Sequence, residues 1–472
     1  MHESTTKSAL FTALLLALAP ATGFAADSAD SNAAQTPLAT FHDSTAPLTP
    51  VALAPQVVAK LPTIDNGGMV RTDRLLRVRS GLEAPDVPRE TDLWGRIRTG
   101  YAIPDIDNKL VAQDVQWYVT RPDYLARTTA RASLYLYHVV QELEKRGMPT
   151  ELALLPFIES AFNPNAMSSA NASGMWQFVP ATGRDFNLKQ TMFKDERRGV
   201  LASTDAALTY LQRLYDMFGD WQLALAAYNW GEGSVQRAID KNRALGKPTD
   251  FESLAYLMPA ETRNYVPKLQ AVKNIIANPG QYGLSLPLID NHPYFTAVDK
   301  TSDIDVTIAA QLAELSVDDF KALNPQFNRP VITGGDQTKI LLPVENASKF
   351  TANLASWGHA LSTWTTHKIV GARERLDTLA QRFGTSVAAL RAANDIPRAM
   401  DVRAGSTILV PKMEASLGGA GGDIPAEVAD NARMMFQADR PATLKHGYRQ
   451  AKSTSASRVP RALAKRRDTG HH

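Results

Sequence analysis

Between Glu151 and Ile276 apolar residues recur every three or four positions, broken by short polar turns, which predicts helices and no strand. Leu152, Leu155, Ile158 and Phe162 fall on one helical face, and that helix is expected to break at Pro164. Arg131–Gly147 reads as one helix closed by Gly147 and Pro149, Ala202–Phe218 as another ending at Gly219, and Trp221–Tyr228 as the start of a third. After Pro287 the pattern changes to short alternating strand and helix signals, and it repeats. Ala310-Gln311, Ser316-Val317 and Asn324 return seventy residues later as Ala380-Gln381, Ser386-Val387 and Asn394. Each copy closes on a short apolar strand ending in proline, Ile340–Pro343 and Ile408–Pro411, so a duplicated βααβ unit of about 45 residues is expected.

The two ends of the chain read differently. Ala9–Ala19 is an apolar run too short to span a bilayer, followed by Pro20, Gly23 and small residues before Asp27, the layout of a signal peptide over residues 1–25. Residues 26–90 begin rich in Ala, Ser, Thr, Asp and Pro and read as a flexible leader, with folded character from Thr91. Gly418–Gly422 is a glycine hinge, and the Ser/Thr/Ala/Arg-rich stretch beyond it reads as part of a disordered tail over residues 413–472.

Composition adds a few exclusions. With 44% hydrophobic and 21% charged residues over 472 positions the chain is not disordered throughout, and its length suits two to four folded units. The net charge of +3 conceals an asymmetry: Arg440–His472 holds nine Lys and Arg against one acid, leaving −5 on everything before it. The basicity lies in a tail, either simply solvated or adhering to a polyanion. Nucleic acid is not expected as a partner, since export would separate the chain from it. The absence of cysteine excludes disulfides, thiolate metal sites and thiol nucleophiles, and it leads to an expectation of no lipid anchor on a chain exported to the periplasm or cell envelope.

The stretch that carries chemistry is Glu151–Gly183. Glu159 stands among Phe157, Ile158, Ala161 and Phe162, and such neighbours desolvate a carboxyl group and raise its pKa, as a general acid requires. Taken alone it reads as a surface glutamate on a helix's polar edge, and what changes that reading is the residues that follow. Ser168, Gly174 and Gln177 follow it at intervals of nine, fifteen and eighteen, then Pro180 and Thr182, and later Ala227-Tyr228-Asn229 and Glu261–Val266. The run from Glu159 to Thr182 resembles the family 1 lytic transglycosylase domain, a relative of goose-type lysozyme, through the pattern E-S-x-F-x-P-x-A-x-S…A-x-G-x-x-Q-x-x-P-x-T. Asp92-Leu93-Trp94 and Gly246–Phe251 extend the likeness toward the D-type lytic murein transglycosylases, over roughly Thr91–Lys412.

That resemblance implies a multidomain chain: a mainly α, lysozyme-like catalytic domain over residues 91–287, then two small α+β modules resembling LysM units, a degenerate one over 296–346 and a second over 365–412. It implies Glu159 as sole acid/base on peptidoglycan strands, cleaving between N-acetylmuramic acid and N-acetylglucosamine with closure of a 1,6-anhydro ring. No cofactor or metal is implied. Ser168 would bond the N-acetyl region, and Gln177 and Tyr228 would contact sugar. Asn229 and Glu261 would also face substrate, although Tyr228-Asn229 reads equally as core packing with a cap, and Glu261 with Arg263 as a surface ion pair. The LysM-like modules would bind N-acetylglucosamine-containing chains. Copy two carries Lys368-Ile369-Val370 as its first strand and Glu374 and Leu376 in its loop, with Arg373 and Arg375 departing from the common pattern; copy one lacks the loop signature. A hydrolytic muramidase and a non-catalytic wall-binding scaffold are the alternatives.

Overall fold

A computed structural model describes residues 92–300, 302–334, 338–371, 374–413 and 422–438; the signal segment, the leader and the tail beyond residue 438 lie outside the described residues. The first folded stretch is helical because its polar residues fall at helix starts and its apolar ones inside. Asp92 accepts from Trp94 N to open α1 (Leu93–Thr99), and Asn108 accepts from Leu110 N and Val111 N to open α2 (Lys109–Val119). There follow α3 (Pro122–Ala132), α4 (Leu136–Lys145), a 3₁₀ turn (Thr150–Leu154), α5 (Leu155–Glu159), α6 (Pro180–Asp185), α7 (Val200–Phe218), α8 (Trp221–Trp230), α9 (Glu232–Ala244), α10 (Phe251–Leu254) and α11 (Ala260–Ala277). One apolar core joins them, and no described helix is long and apolar enough to cross a membrane. Residues 92–287 also hold 3₁₀ turns at Ala255–Leu257 and Pro279–Tyr282, and their only β structure is isolated bridges.

Two helix expectations need correction. Arg131–Gly147 is not one helix: residues 133–135 form a tight turn between α3 and α4, with Leu134 N bonding Arg131 O and Tyr135 N bonding Ala132 O. The Tyr135 hydroxyl is drawn off to Ala322 O (2.7 Å), in the first repeat. Nor does a one-faced helix run to Pro164. Leu152, Ala153, Leu154, Leu155 and Phe157 are buried all round, and the helix ends at Glu159. Ala161 and Phe162 then take left-handed backbone (φ 51° and 56°). That turn is held from outside: Phe162 N donates to Pro156 O (2.9 Å), and Arg131 Nε donates to Ala161 O (2.7 Å).

The repeat folds as two βααβ units. Copy one runs β1 (Phe295–Asp299), β2 (Ile304–Asp305), α12 (Val306–Leu312), α13 (Val317–Leu323), β3 (Val331–Ile332) and β4 (Lys339–Pro343), followed by α14 (Val344–Ala355). Copy two runs β5 (Trp364–Lys368), α15 (Leu376–Arg382), α16 (Val387–Asn394), β6 (Met400–Val402) and β7 (Thr407–Pro411). β1 pairs antiparallel with β4, and β5 with β7, each closing opposite its terminal proline (Phe295 with Pro343, Trp364 with Pro411). The first strand of copy two lies four residues earlier than expected: Ile369 drops into the core and Val370 is 76% exposed, so neither belongs to it. Residues 422–438 also depart from the expected tail, forming α17 (Ala426–Asn431) and β8 (Phe436–Ala438), which pairs with β6.

The repeated asparagines explain why the duplication is legible. Asn324 Nδ2 donates to Phe320 O and Leu341 O while its Oδ1 accepts from Leu341 N; Asn394 does the same with Leu390 O, Leu409 O and Leu409 N. Both are essentially fully buried, so each pins a helix end to the closing strand with no water to replace it. Asn394→Ala is expected to leave Leu409 N–H and C=O without these partners and to cost about 2–3 kcal/mol, measured by denaturant unfolding followed through the second module.

Candidate active site

Glu159 is the last residue of α5, where the left-handed turn at Ala161 and Phe162 swings the chain away. Its side chain is 7% exposed, and burial lifts its pKa from 4.5 to about 7. A hydrogen bond from the Tyr265 hydroxyl to Oε1 opposes that rise, the charge of Glu261 adds to it, and Lys268 weakly opposes it. Oε2 receives no hydrogen bond from any described residue. The carboxyl group is therefore held by one oxygen, with the other uncommitted, and it is poised to exchange a proton near neutrality.

Tyr265 was not singled out from the sequence. Its signal was present: it stands four residues after Glu261 on α11, one turn along the same face, but its partner is 106 residues away. Burial raises the Tyr265 hydroxyl well above its ordinary pKa, so it stays a donor. On the same helix Thr262 Oγ1 donates to Asn229 Oδ1 (2.7 Å), and Asn229 Nδ2 donates to Glu261 Oε1 (3.4 Å). Asn229 is thus a buried brace for Glu261, and Glu261 is felt electrostatically at Glu159. Arg263 instead reaches Met258 O (3.4 Å).

The loop 166–178 forms another wall. Ser168 closes a small turn: its N donates to Ala172 O (2.9 Å), and its Oγ accepts from Ala172 N (3.1 Å). Gln177, in left-handed backbone (φ 51°), donates through Nε2 to Gly174 O (2.8 Å) and Ala166 O (3.4 Å). The structure thus gives both residues a part in shaping the loop. Ser160, next to Glu159, donates through Oγ to Met175 O (3.0 Å), and the half-buried Tyr228 donates to Trp176 O (2.8 Å), so the acid and the loop are tied together. Burial and the charge of Glu159 raise the Tyr228 hydroxyl well above its ordinary value. Trp176 is a packing residue, fully buried with Nε1 donating to Thr204 Oγ1 (3.1 Å).

What clamps this loop lies downstream, at a pair that sequence reasoning passed over. Arg197 is 6% exposed, and its guanidinium holds Asp195 through Nε (3.0 Å) and Nη2 (2.7 Å). Its Nη1 donates to Asn171 O (2.6 Å) and Phe178 O (3.1 Å), two carbonyls of the loop. Gly174 (φ 89°) lies directly on the Arg197 backbone carbonyl, where a Cβ would overlap the oxygen. This is why position 174 needs glycine.

Residues 138–251 match the Transglycosylase SLT domain, residues 294–358 the LysM-like domain of lytic transglycosylase MltD, and residues 369–411 the LysM domain. The chain is 40% identical over 275 residues to "Membrane-bound lytic murein transglycosylase D" of Escherichia coli strain K12, covering 58% of this chain and 60% of that relative, so it spans less than two thirds of its length. It is 42% identical over 176 residues to a protein of Alteromonas sp. strain M-1 described as a tributyltin chloride resistance protein, covering 36% of this chain and 82% of that one. The solved 70 kDa soluble lytic transglycosylase of Escherichia coli aligns over 36% of this chain and 30% of its own, with TM-score 0.26 and 24% identity.

Three outcomes follow from the site as built. A carboxyl whose folded pKa is raised contributes stability at acid pH that is lost as pH rises through about 7. Glu159→Gln, neutral throughout, is therefore expected to raise Tm more at about pH 8 than at about pH 5, read by calorimetry. Tyr265→Phe removes the donor that favours the charged carboxylate, so the Glu159 titration seen by carboxyl ¹³C NMR should move upward from about 7. Gly174→Ala should force the loop off the Arg197 carbonyl and lower Tm by several degrees, on the order of 2 kcal/mol or more.

Proposed function

The chain belongs to the transglycosylase SLT domain family, and on that premise we propose that it is a peptidoglycan lytic transglycosylase, with Glu159 as its acid and then its base. The observation that carries this reading is a buried carboxyl with a pKa of about 7, one oxygen bonded to Tyr265 and the other uncommitted.

In the protonated state Glu159 gives its proton to the glycosidic oxygen between N-acetylmuramic acid and N-acetylglucosamine, and the bond from C1 to that oxygen breaks. The cationic centre is met by the N-acetyl carbonyl of the same sugar, a substrate-assisted route that needs no carboxylate nucleophile. The muramoyl C6 hydroxyl then bonds to C1, and its proton passes to the Glu159 carboxylate. The 1,6-anhydro ring closes, no water is consumed, and the acid is regenerated. Tyr265 keeps Oε1 engaged through both steps, which leaves Oε2 to carry the proton. Glu261, held by Asn229, keeps the resting carboxyl from ionising too readily.

Ser168 and Gln177 on the loop, and Tyr228 on α8 beside it, are read as facing sugar. The second module is read as a tether to N-acetylglucosamine-containing chains, which raises the local concentration of glycan at the site. Export to the cell envelope belongs to the same reading, because the substrate lies there.

Glu159→Gln is expected to abolish clearing of purified sacculi, at least about a thousandfold, since the general acid is lost. Mass analysis of wild-type digests should show muropeptides one water lighter than hydrolysis products. Products of full hydrolytic mass would point to a muramidase, and wild-type clearing by the variant would remove Glu159 from the chemistry.

A further inference from the structure

The two repeats share a scaffold but not their surroundings. In the second module Val370, two residues after β5, is largely exposed. In the first, the corresponding segment after β1 is closed over. Lys300, Asp303 and Asp305 are all buried there. Asp303 N donates to Asp423 Oδ1 (2.9 Å), and Ile424 N donates to Asp303 Oδ2 (2.7 Å), so residues 423–424 lie across it. Asp305 accepts from Thr363 N and Oγ1 (2.6 Å to the hydroxyl), while Asp305 N donates to Leu361 O (2.9 Å). Residues 361–363 and 423–424 thus cover this side of the first module.

The opposite side of the first module is joined to the catalytic domain. Leu323 of α13 and Leu341 of β4 are buried in the core of the helical domain, and Tyr135 bonds Ala322 O. A further set of hydrogen bonds across the junction falls on residues 189–198. Asp195 N donates to Gln326 O (2.8 Å), Asn328 N to Phe193 O (2.8 Å), and Asn328 Nδ2 to Thr191 O (3.2 Å), while Asn328 Oδ1 accepts from Arg198 Nη2. That segment also carries the Asp195–Arg197 pair that grips Asn171 O and Phe178 O.

We propose that the first module is a scaffold for the active-site loop rather than a glycan anchor: docked through Gln326–Asn328, it fixes segment 189–198, and Arg197 in that segment positions the loop bearing Ser168 and Gln177. Arg197 and Asn328 act here as positioning residues, distinct from Glu159 and Tyr265, which sit on α5 and α11. The proposal rests on the lytic transglycosylase reading and assigns the first module no glycan contact.

The test uses the full chain on a soluble peptidoglycan tetrasaccharide, for which module tethering to a long strand makes no difference. Asn328→Ala is expected to raise KM about tenfold while kcat and its pH profile stay within about twofold, because the loop that meets sugar is loosened while the acid is untouched. Arg197→Lys, which keeps the charge beside Asp195 but loses the fork to two carbonyls, should give the same split if Asn328→Ala folds poorly. Unchanged KM on the tetrasaccharide, or a fall in kcat at constant KM, would each overturn the scaffold role. Failure of the catalytic reading shows up separately, as tetrasaccharide cleavage by Glu159→Gln itself.

Discussion

Arg197 and Asp195 form an ion pair that is almost withdrawn from water, and a buried pair of this kind is an uncertain source of stability because both charges lose their hydration. Here the desolvation is offset by completing the hydrogen bonds: two guanidinium nitrogens go to the carboxylate and the third to two backbone carbonyls. The return is geometric. Those carbonyls belong to a loop of thirteen residues (166–178) with no regular secondary structure, which would otherwise be held chiefly by its own turns. Gly174 against the Arg197 carbonyl, Gln177 folded onto Gly174 O and Ser160 joined to Met175 O all take their positions from that clamp.

How much of this was legible in the chain follows from distance along it. The raised pKa of Glu159 could be read from its neighbours, since Phe157 and Phe162 are local and burial is the dominant cause. The helices α7 and α8 were legible because Gly219 and Asp220 punctuate them, one in left-handed backbone and the other capping Leu223 N. The donor to Glu159 was not, because no local pattern links residue 159 to residue 265. The Asp195-Glu196-Arg197-Arg198 run looks like a solvated charge cluster in sequence, and only the fold turns Arg197 inward. The break at residues 133–135 was hidden for a similar reason: Tyr135 is recruited by Ala322, and local helical preference yields to that packing.

The duplicated modules show how one scaffold diverges. Asn324 and Asn394 keep identical hydrogen bonds to their closing strands, so the internal frame is the same. What differs is what each frame touches. The first gives its helix and strand to the catalytic core and its open end to residues 361–363 and 423–424. The second is joined by β8 along β6 and shares a small apolar cluster with Met192, Phe193, Val331 and Ile424. That cluster draws side chains from the catalytic domain, both modules and residues 422–438, which ties α17 to the three units at once.

A single carboxyl that must give a proton and then take one back works best when neither state is strongly preferred. Burial alone would trap Glu159 as the acid; a full set of donors would trap it as the carboxylate. The site supplies an intermediate answer, with desolvation and the Glu261 charge on one side and a single tyrosine donor with Lys268 on the other. Tyr265 can hold this balance because its own hydroxyl is buried and its pKa is raised far out of range, so it remains a neutral donor in either state of its partner. The balance is therefore set by α5 and α11, while the shape of the loop beside it is set by the Arg197 clamp, and the bond from Ser160 to Met175 O joins the two.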